Sequence, residues 1–166
     1  MKKARILAYM SISLALCIIL SYVEYLLPPI YAAVPGIKLG LANIVVMFLL
    51  YKCGPWQAFV VSMLRVALSS LLFGSPLTLA YSLSGAILSF IVMILLKKTS
   101  AFTTCGVSAA AGVSHNVGQI LMAIFILGTK EIAYYLIPLT VSGIIAGVAV
   151  GIVSAILIKK IDVKKY

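Results

Sequence analysis

The chain has 166 residues, which is enough for one domain. Its composition is 64 % hydrophobic and only 10 % charged, and its mean hydropathy is +1.23. A soluble domain of this size needs roughly 25 % charged residues to cover its surface. These values exclude an ordinary water-soluble protein and predict an integral membrane protein that faces lipid.

The net charge of +10 is concentrated in clusters that flank apolar segments. A nucleic-acid-binding groove would instead interleave basic and aromatic residues along one surface, so we expect no nucleic-acid partner. Flanking clusters are typical of headgroup anchors and topology signals. The clustered residues are Lys2, Lys3, Arg5, Lys97, Lys98, Lys159, Lys160, Lys164 and Lys165.

The first apolar segment covers residues 6–27 and is closed by Pro28 and Pro29. It is longer than the apolar region of a signal peptide, and no small-residue cleavage site follows it, so it predicts a first transmembrane helix. The segment 28–37 contains three prolines and a glycine and predicts a loop. A short second helix is predicted over residues 38–52.

Four further apolar segments follow, separated by turn signals. Gly54-Pro55 and Gly74-Ser75-Pro76 each contain residues that end one helix and begin the next. Lys97-Lys98 and the turn at residues 128–131 separate the remaining segments. The predicted helices cover residues 56–73, 77–96, 105–127 and 132–158, so the whole chain predicts a single all-α transmembrane domain of about six helices.

The distribution of basic residues predicts the topology. Six spans place both termini on one side of the membrane, and only Lys38 and Lys130 then fall on the other side. Because cytoplasmic loops carry the excess of Lys and Arg, we expect both termini to be cytoplasmic. The same side holds the flanking clusters and Lys52.

Arg65 lies near the middle of the third predicted helix. A charged side chain deep in a bilayer costs at least about 2.5–3.5 kcal/mol, whereas an interhelical hydrogen bond contributes only about 0.6–2 kcal/mol. Packing alone is therefore a weak reason to place an arginine there, and Arg65 is a candidate ligand-binding residue.

The fifth predicted helix carries Ser114, His115, Asn116 and Gln119 near its middle. His115 and Gln119 are four residues apart and share a face, with Asn116 beside it. Together with Arg65 and Asn43 these residues predict a polar intramembrane pocket, although they could instead satisfy one another as interhelical contacts. Further polar residues that could join the pocket are Ser62, Ser69, Tyr81 and Ser84.

Glu24 lies near the outer end of the first predicted helix. It could simply sit at the headgroup boundary, or it could line the outer mouth of the pocket with Tyr22, Tyr25 and Lys38. We therefore include Glu24 and Lys38 among the candidate ligand-binding residues.

Small residues at four-residue spacing mark close helix packing, as G-x-x-x-G patterns do. Gly143, Gly147 and Gly151 form such a seam on the sixth helix, and Ala4 and Ala8 form a shorter one on the first. These seams are first of all packing surfaces within the bundle. One of them could instead dock a separate membrane partner.

Several kinds of chemistry lack their usual residues. The sequence has no Walker motif, and its three acids, Glu24, Glu131 and Asp162, are far apart rather than paired as in sites that hold Mg²⁺ on a diphosphate. The cysteines, Cys17, Cys53 and Cys105, show no metal-ligand spacing. We therefore expect neither an intrinsic cofactor or metal nor an enzymatic activity.

The run from Pro35 to Ile44, with its Lys38-x-Gly40-x-x-Asn43 block, followed by Gly54-Pro55 and Arg65, resembles the bacterial heptaprenyl diphosphate synthase component I family, also called the Gx transporter family. The resemblance covers residues 5–160 and implies a bacterial plasma-membrane protein. That family is similar to the six-helix S components of energy-coupling factor transporters. Such S components often carry an A-x-x-x-A on the first helix that docks the coupling subunit, as Ala4 and Ala8 would.

The resemblance leaves three functions open beside a purely structural scaffold. The chain could bind a small organic ligand for transport, with a coupling subunit as its partner. It could be a membrane subunit of flavin-based extracellular electron transfer, in which the pocket takes a quinone or flavin, His115 carries a proton and an extracytoplasmic protein is the redox partner. It could also be an accessory, non-catalytic subunit of a prenyl diphosphate synthase.

Overall fold

The computed structural model describes residues 2–27 and 40–161. Over these residues the chain is all-α, as predicted, and five of its helices are long and apolar enough to cross a membrane. It is a polytopic membrane bundle. The helices are α1 (Lys2–Leu26), α2 (Ala42–Lys52), α3 (Pro55–Phe73), α4 (Pro76–Thr99), α5 (Thr104–Leu127) and α6 (Leu136–Lys160), with a 3₁₀ turn at Lys130–Tyr135 before α6.

The second helix is shorter than predicted. It begins at Ala42 rather than at residue 38, because Gly40 has a left-handed φ of +71° and its carbonyl accepts the first bond, from the amide of Asn43 at 2.8 Å. Its 11 residues extend about 16 Å, roughly half of the 30 Å hydrocarbon core. Residue 38 itself lies outside the described residues.

The ends of the other helices differ from the prediction by a few residues. The first helix begins at Lys2 rather than residue 6, since its basic residues continue the helix beyond the apolar segment. Ser75 caps α4, its Oγ accepting a hydrogen bond from the amide of Thr78 at 3.2 Å, and Pro76 occupies the first position. The sixth helix starts at Leu136, four residues later than predicted, because residues 130–135 form the tighter 3₁₀ turn.

The helix α5 packs closely between α4 and α6, and glycines make both contacts possible. A methyl group at Gly118 would lie 2.8 Å from the carbonyl oxygen of Ser84 on α4. On the other face, a methyl group at Gly147 would lie 2.6 Å from Cα of Ala109. Backbones this close leave no room for a side chain at these positions unless the helices move apart.

The contact with α5 changes the interpretation of the glycine seam. Gly143, Gly147 and Gly151 are all buried, and α5 covers them. This face is therefore not open to another protein, and the three glycines are a packing surface within the bundle rather than a docking site. Ala4 and Ala8, by contrast, are exposed on α1, where docking stays a prediction.

The outer surface and the packed core are both apolar. Side chains such as Leu71, Phe125 and Ile137 are exposed, as expected of residues that face lipid. The core is centred on α2, where Val46, Met47, Leu49 and Leu50 are almost completely buried. The short α2 is therefore an interior helix that the longer helices surround.

Candidate functional site

A cavity of about 160 Å³ lies inside the bundle and is lined by all six α-helices. Five of the residues predicted to bind a ligand from the middle of the bundle meet there, and Glu24 joins them from α1. The predicted site residues that line the cavity are Glu24, Asn43, Arg65, His115, Asn116 and Gln119. The structure thus brings together residues that are up to 95 positions apart in the sequence.

The cavity is long and narrow. On α4 its lining runs from Thr78 to Met93, which at 1.5 Å per residue is a distance of about 22 Å along the helix axis. Thr78 lies near the end of α4 that is predicted to be outer, and Met93 lies in the half predicted to be inner. The part near the predicted outer end is rich in polar groups, while the inner part combines Met47, Met93 and Val150 with the hydroxyls of Ser89 and Ser108.

Arg65 is the only cation in the described lining of this cavity. Its Nη2 donates a hydrogen bond of 3.3 Å to Oδ1 of Asn43, which joins α3 to α2. Its Nε is buried and has no hydrogen-bond partner among the residues that the structure describes. The guanidinium is therefore placed in the cavity with donor capacity still unused.

Glu24 makes a hydrogen bond to the backbone just before α2. Its Oε1 accepts a hydrogen bond of 2.5 Å from the backbone amide of Gly40. Glu24 and Gly40 both line the cavity, as do Tyr25 and Phe73, whose rings stack with centroids 5.6 Å apart. Glu24 is thus part of the cavity wall near its predicted outer end.

The polar group on α5 is divided between two roles. His115, Asn116 and Gln119 line the cavity, whereas the hydroxyl of Ser114 donates to the carbonyl of Ala110 in its own helix at 2.7 Å. Asn116 also donates from Nδ2 to the carbonyl of Leu139 on α6, at 2.6 Å. Asn116 therefore joins α5 to α6 and also lies in the cavity wall, where its part in ligand binding stays a prediction.

The remaining predicted residues are distributed as follows. Ser69 lines the cavity, and its hydroxyl donates to the carbonyl of Arg65 at 2.7 Å. The hydroxyl of Ser84 is used between helices, donating to the carbonyl of Gly118 at 2.8 Å. Tyr22 packs against Phe73 with ring centroids 5.1 Å apart. Lys38 lies outside the described residues.

Sequence reasoning missed several serines that line the cavity. Ser82 and Ser89 lie seven residues apart on α4, and Ser108 of α5 also lines the cavity. The seven-residue spacing was a usable signal, because it places both hydroxyls on one face of a helix. Ser21 also lines the cavity, and its Oγ has no partner within the described part of the chain.

The donors and acceptors of the cavity suit a small polar organic molecule. Arginine presents a planar set of N–H groups that matches a carboxylate, phosphate or carbonyl oxygen, and the amides of Asn116 and Gln119 can donate or accept. Within residues 2–27 and 40–161, no group of three or more His, Cys, Asp or Glu side chains is placed to hold a metal ion.

Comparison with known proteins identifies one family. The family model described as heptaprenyl diphosphate synthase component I matches residues 14–157, which is most of the chain. No curated protein and no solved structure matches the chain. The matched region contains every residue of the cavity lining that the structure describes.

Proposed function

The chain belongs to the heptaprenyl diphosphate synthase component I family, and we propose that it is a substrate-binding membrane component that holds a small organic ligand in its central cavity. In this respect it would resemble the S components of energy-coupling factor transporters. Transport of the ligand would require a coupling subunit, because the sequence contains no nucleotide-binding motif of its own.

The observation that supports this proposal is the incomplete pairing of Arg65. A buried guanidinium has five N–H donors; the hydrogen bond from Arg65 to Asn43 is long, at 3.3 Å, and the buried Nε has no partner among the described residues. One such bond contributes about 0.6–2 kcal/mol, less than the cost of at least about 2.5–3.5 kcal/mol for a charge within the bilayer. An oxygen-bearing ligand would supply the missing acceptors.

The chemistry of the wall narrows the class of ligand. Arg65 provides a cation and Glu24 an anion, so the described lining carries no net charge when histidine is neutral. One oxygen of Glu24 already accepts from Gly40, which leaves Arg65 as the principal anchor. A neutral carbonyl compound or a zwitterion with one anionic group fits this arrangement better than a polyanion.

The size of the cavity sets a further limit. A volume of about 160 Å³ is close to that of an engineered cavity of roughly 150 Å³ that admits benzene, and is below the roughly 300–1,000 Å³ of drug-sized sites. This form of the protein therefore accepts a slender molecule or one ring. A larger ligand requires the helices to separate.

Mass spectrometry of small molecules that copurify with the protein tests this proposal. We expect one compound to copurify with the wild type and with Arg5→Gln, whose arginine is exposed on α1, but to be lost from Arg65→Gln. Equal recovery from all three proteins, or no compound from a correctly inserted wild type, would contradict the proposal.

The same experiment separates the alternatives. A quinone or flavin bound in an Arg65-dependent manner would favour a subunit of electron transfer, for which His115 in the cavity wall is a candidate proton carrier. Copurification of a prenyl diphosphate synthase subunit without any small ligand would favour the accessory role. An organic nutrient with a carbonyl or carboxylate group would favour transport.

A further inference from the structure

Two buried polar atoms in the wall of the central cavity have no hydrogen-bond partner among the described residues. They are Oγ of Ser21 on α1 and Nε of Arg65 on α3, and both residues line the cavity. Folded proteins rarely leave a buried donor unpaired, so each such atom requires an explanation. Two of them in one cavity wall indicate a place where a ligand atom completes the hydrogen bonds.

Ser21 lies on the face of α1 that is turned toward Arg65. Cys17 and Glu24, four residues before Ser21 and three residues after it, share its face of the helix. Both lie within electrostatic range of the Arg65 guanidinium, and α1 packs against α3. The thiol of Cys17 also donates to the carbonyl of Ala42 at 3.6 Å, which fixes this face of α1 against α2. Ser21 therefore lies beside Arg65 at the contact between α1 and α3.

An ionised carboxylate matches these two donors. The N–H of a guanidinium and the O–H of a serine both donate, whereas a carboxylate only accepts and has two oxygens. A hydrogen bond between an arginine and a carboxylate is charge-assisted and roughly twice as strong as one to a neutral carbonyl. A serine hydroxyl changes direction by rotation about one bond, so it can meet a ligand oxygen without movement of α1.

We propose that Ser21 and Arg65 form a subsite that binds the carboxylate group of the ligand, between α1 and α3. The inference rests on the proposed function and narrows it. Of the two ligand classes that fit the charge of the wall, it selects the zwitterion with one anionic group over the neutral carbonyl compound. Ser21 is then a binding residue that determines specificity for this group.

Benzoate and benzamide are the probes for this subsite. They have the same ring and nearly the same shape, but only benzoate has a carboxylate at neutral pH. A cavity of about 160 Å³ admits one ring. Titrations followed by saturation-transfer NMR, with the full-length protein in detergent and with empty micelles as background, give the two dissociation constants. Their ratio is the preference for the carboxylate.

Four variants separate recognition from folding. Ser21→Ala removes the hydroxyl, and Ser21→Thr keeps it. Ser13→Ala is the matched control, because Ser13 is also buried on α1 but is not among the residues that line the cavity. Arg65→Gln removes the cation. Since the Ser21 hydroxyl has no partner among the described residues, Ser21→Ala should keep or raise the thermal stability of the protein.

We expect wild type, Ser13→Ala and Ser21→Thr to prefer benzoate. Loss of one hydrogen bond to a charged group weakens binding by about tenfold or more, so Ser21→Ala should reduce the preference by that factor. Arg65→Gln should abolish it. Equal binding of the two probes by wild type, absence of benzoate binding, or an unchanged preference in Ser21→Ala would overturn the carboxylate subsite.

Failure of this inference is distinct from failure of the proposed function. If the carboxylate subsite is overturned while a copurifying compound still depends on Arg65, the cavity binds a ligand and a neutral carbonyl compound is its class. If no compound copurifies with the wild type, the proposed function itself fails, whatever the preference between the two probes.

Discussion

Replacing Gly147 by alanine should weaken the packing of α6 against α5. The added methyl group would lie 2.6 Å from Cα of Ala109 and 2.7 Å from the carbonyl oxygen of Ser108. Both atoms belong to the α5 backbone, so relief requires the two helices to move apart. Overpacking of this kind costs typically about 1–3 kcal/mol.

Gly106 offers a matched control on α5. A methyl group there would make only ordinary contacts, the nearest at 3.6 Å to side-chain atoms of Phe102 and Thr103. Alanine has a higher helix propensity than glycine, by about 1 kcal/mol in a helix interior and less in the first turn. This difference stabilises both variants. The difference between Gly147→Ala and Gly106→Ala therefore isolates most of the overpacking cost.

Thermal unfolding of the two purified variants in the same detergent measures this difference. For a protein of this length, 1 kcal/mol corresponds to about 2–4 °C in Tm. We expect Gly147→Ala to unfold at a lower temperature than Gly106→Ala by at least that amount. Equal unfolding temperatures would refute the close contact between α5 and α6.

Three further predictions concern topology, partner docking and energy. Cysteines introduced near Ala33 and at Thr129 should react with an impermeant thiol reagent from outside, whereas one at Lys98 should not; labelling of intact cells at Lys98 would overturn the predicted topology. Ala8→Trp should leave folding intact but abolish copurification of the coupling partner. The control Leu7→Trp, at a residue that is 65 % exposed on α1, should leave copurification unchanged. Equal effects of the two variants would exclude the alanine seam as the docking site. Reconstituted alone in vesicles, the protein should bind its ligand without concentrating it, and uphill uptake driven by a proton gradient would contradict the need for a partner.

The sequence predicted the residues of the candidate site one by one, and the structure shows that they line one cavity. Arg65, His115 and Gln119 were conspicuous because polar side chains are rare in apolar helices. That these residues lie close to Asn43 depends on how α2, α3 and α5 are arranged in space. The residue spacing within a single helix carries no information about that arrangement. Ser82 and Ser89 of α4 were missed, because a serine in a membrane helix is a weak signal when its neighbours are unknown.

For the glycine seam, too, the sequence pattern predicted one property and the structure was needed for another. Four-residue spacing identified Gly143, Gly147 and Gly151 as a surface of close helix packing. It did not identify which helix or protein packs against that surface. The structure places α5 there and leaves Ala4 and Ala8 exposed. Two seams with the same spacing therefore have different surroundings, and only the tertiary contacts separate them.

By itself the sequence determined the class of the protein, the number of helices and most of their ends. The length of an apolar segment predicts a transmembrane span, because the bilayer has a fixed thickness. Pro, Gly and Lys mark the ends of the spans, and Lys does so because the bilayer tolerates few charges. Apart from the glycine seam and the polar positions, which face of each helix is buried was decided only by the tertiary structure. Lipid is as apolar as the protein core, so hydropathy does not distinguish Val46, which is fully buried, from Phe125, which is 84 % exposed.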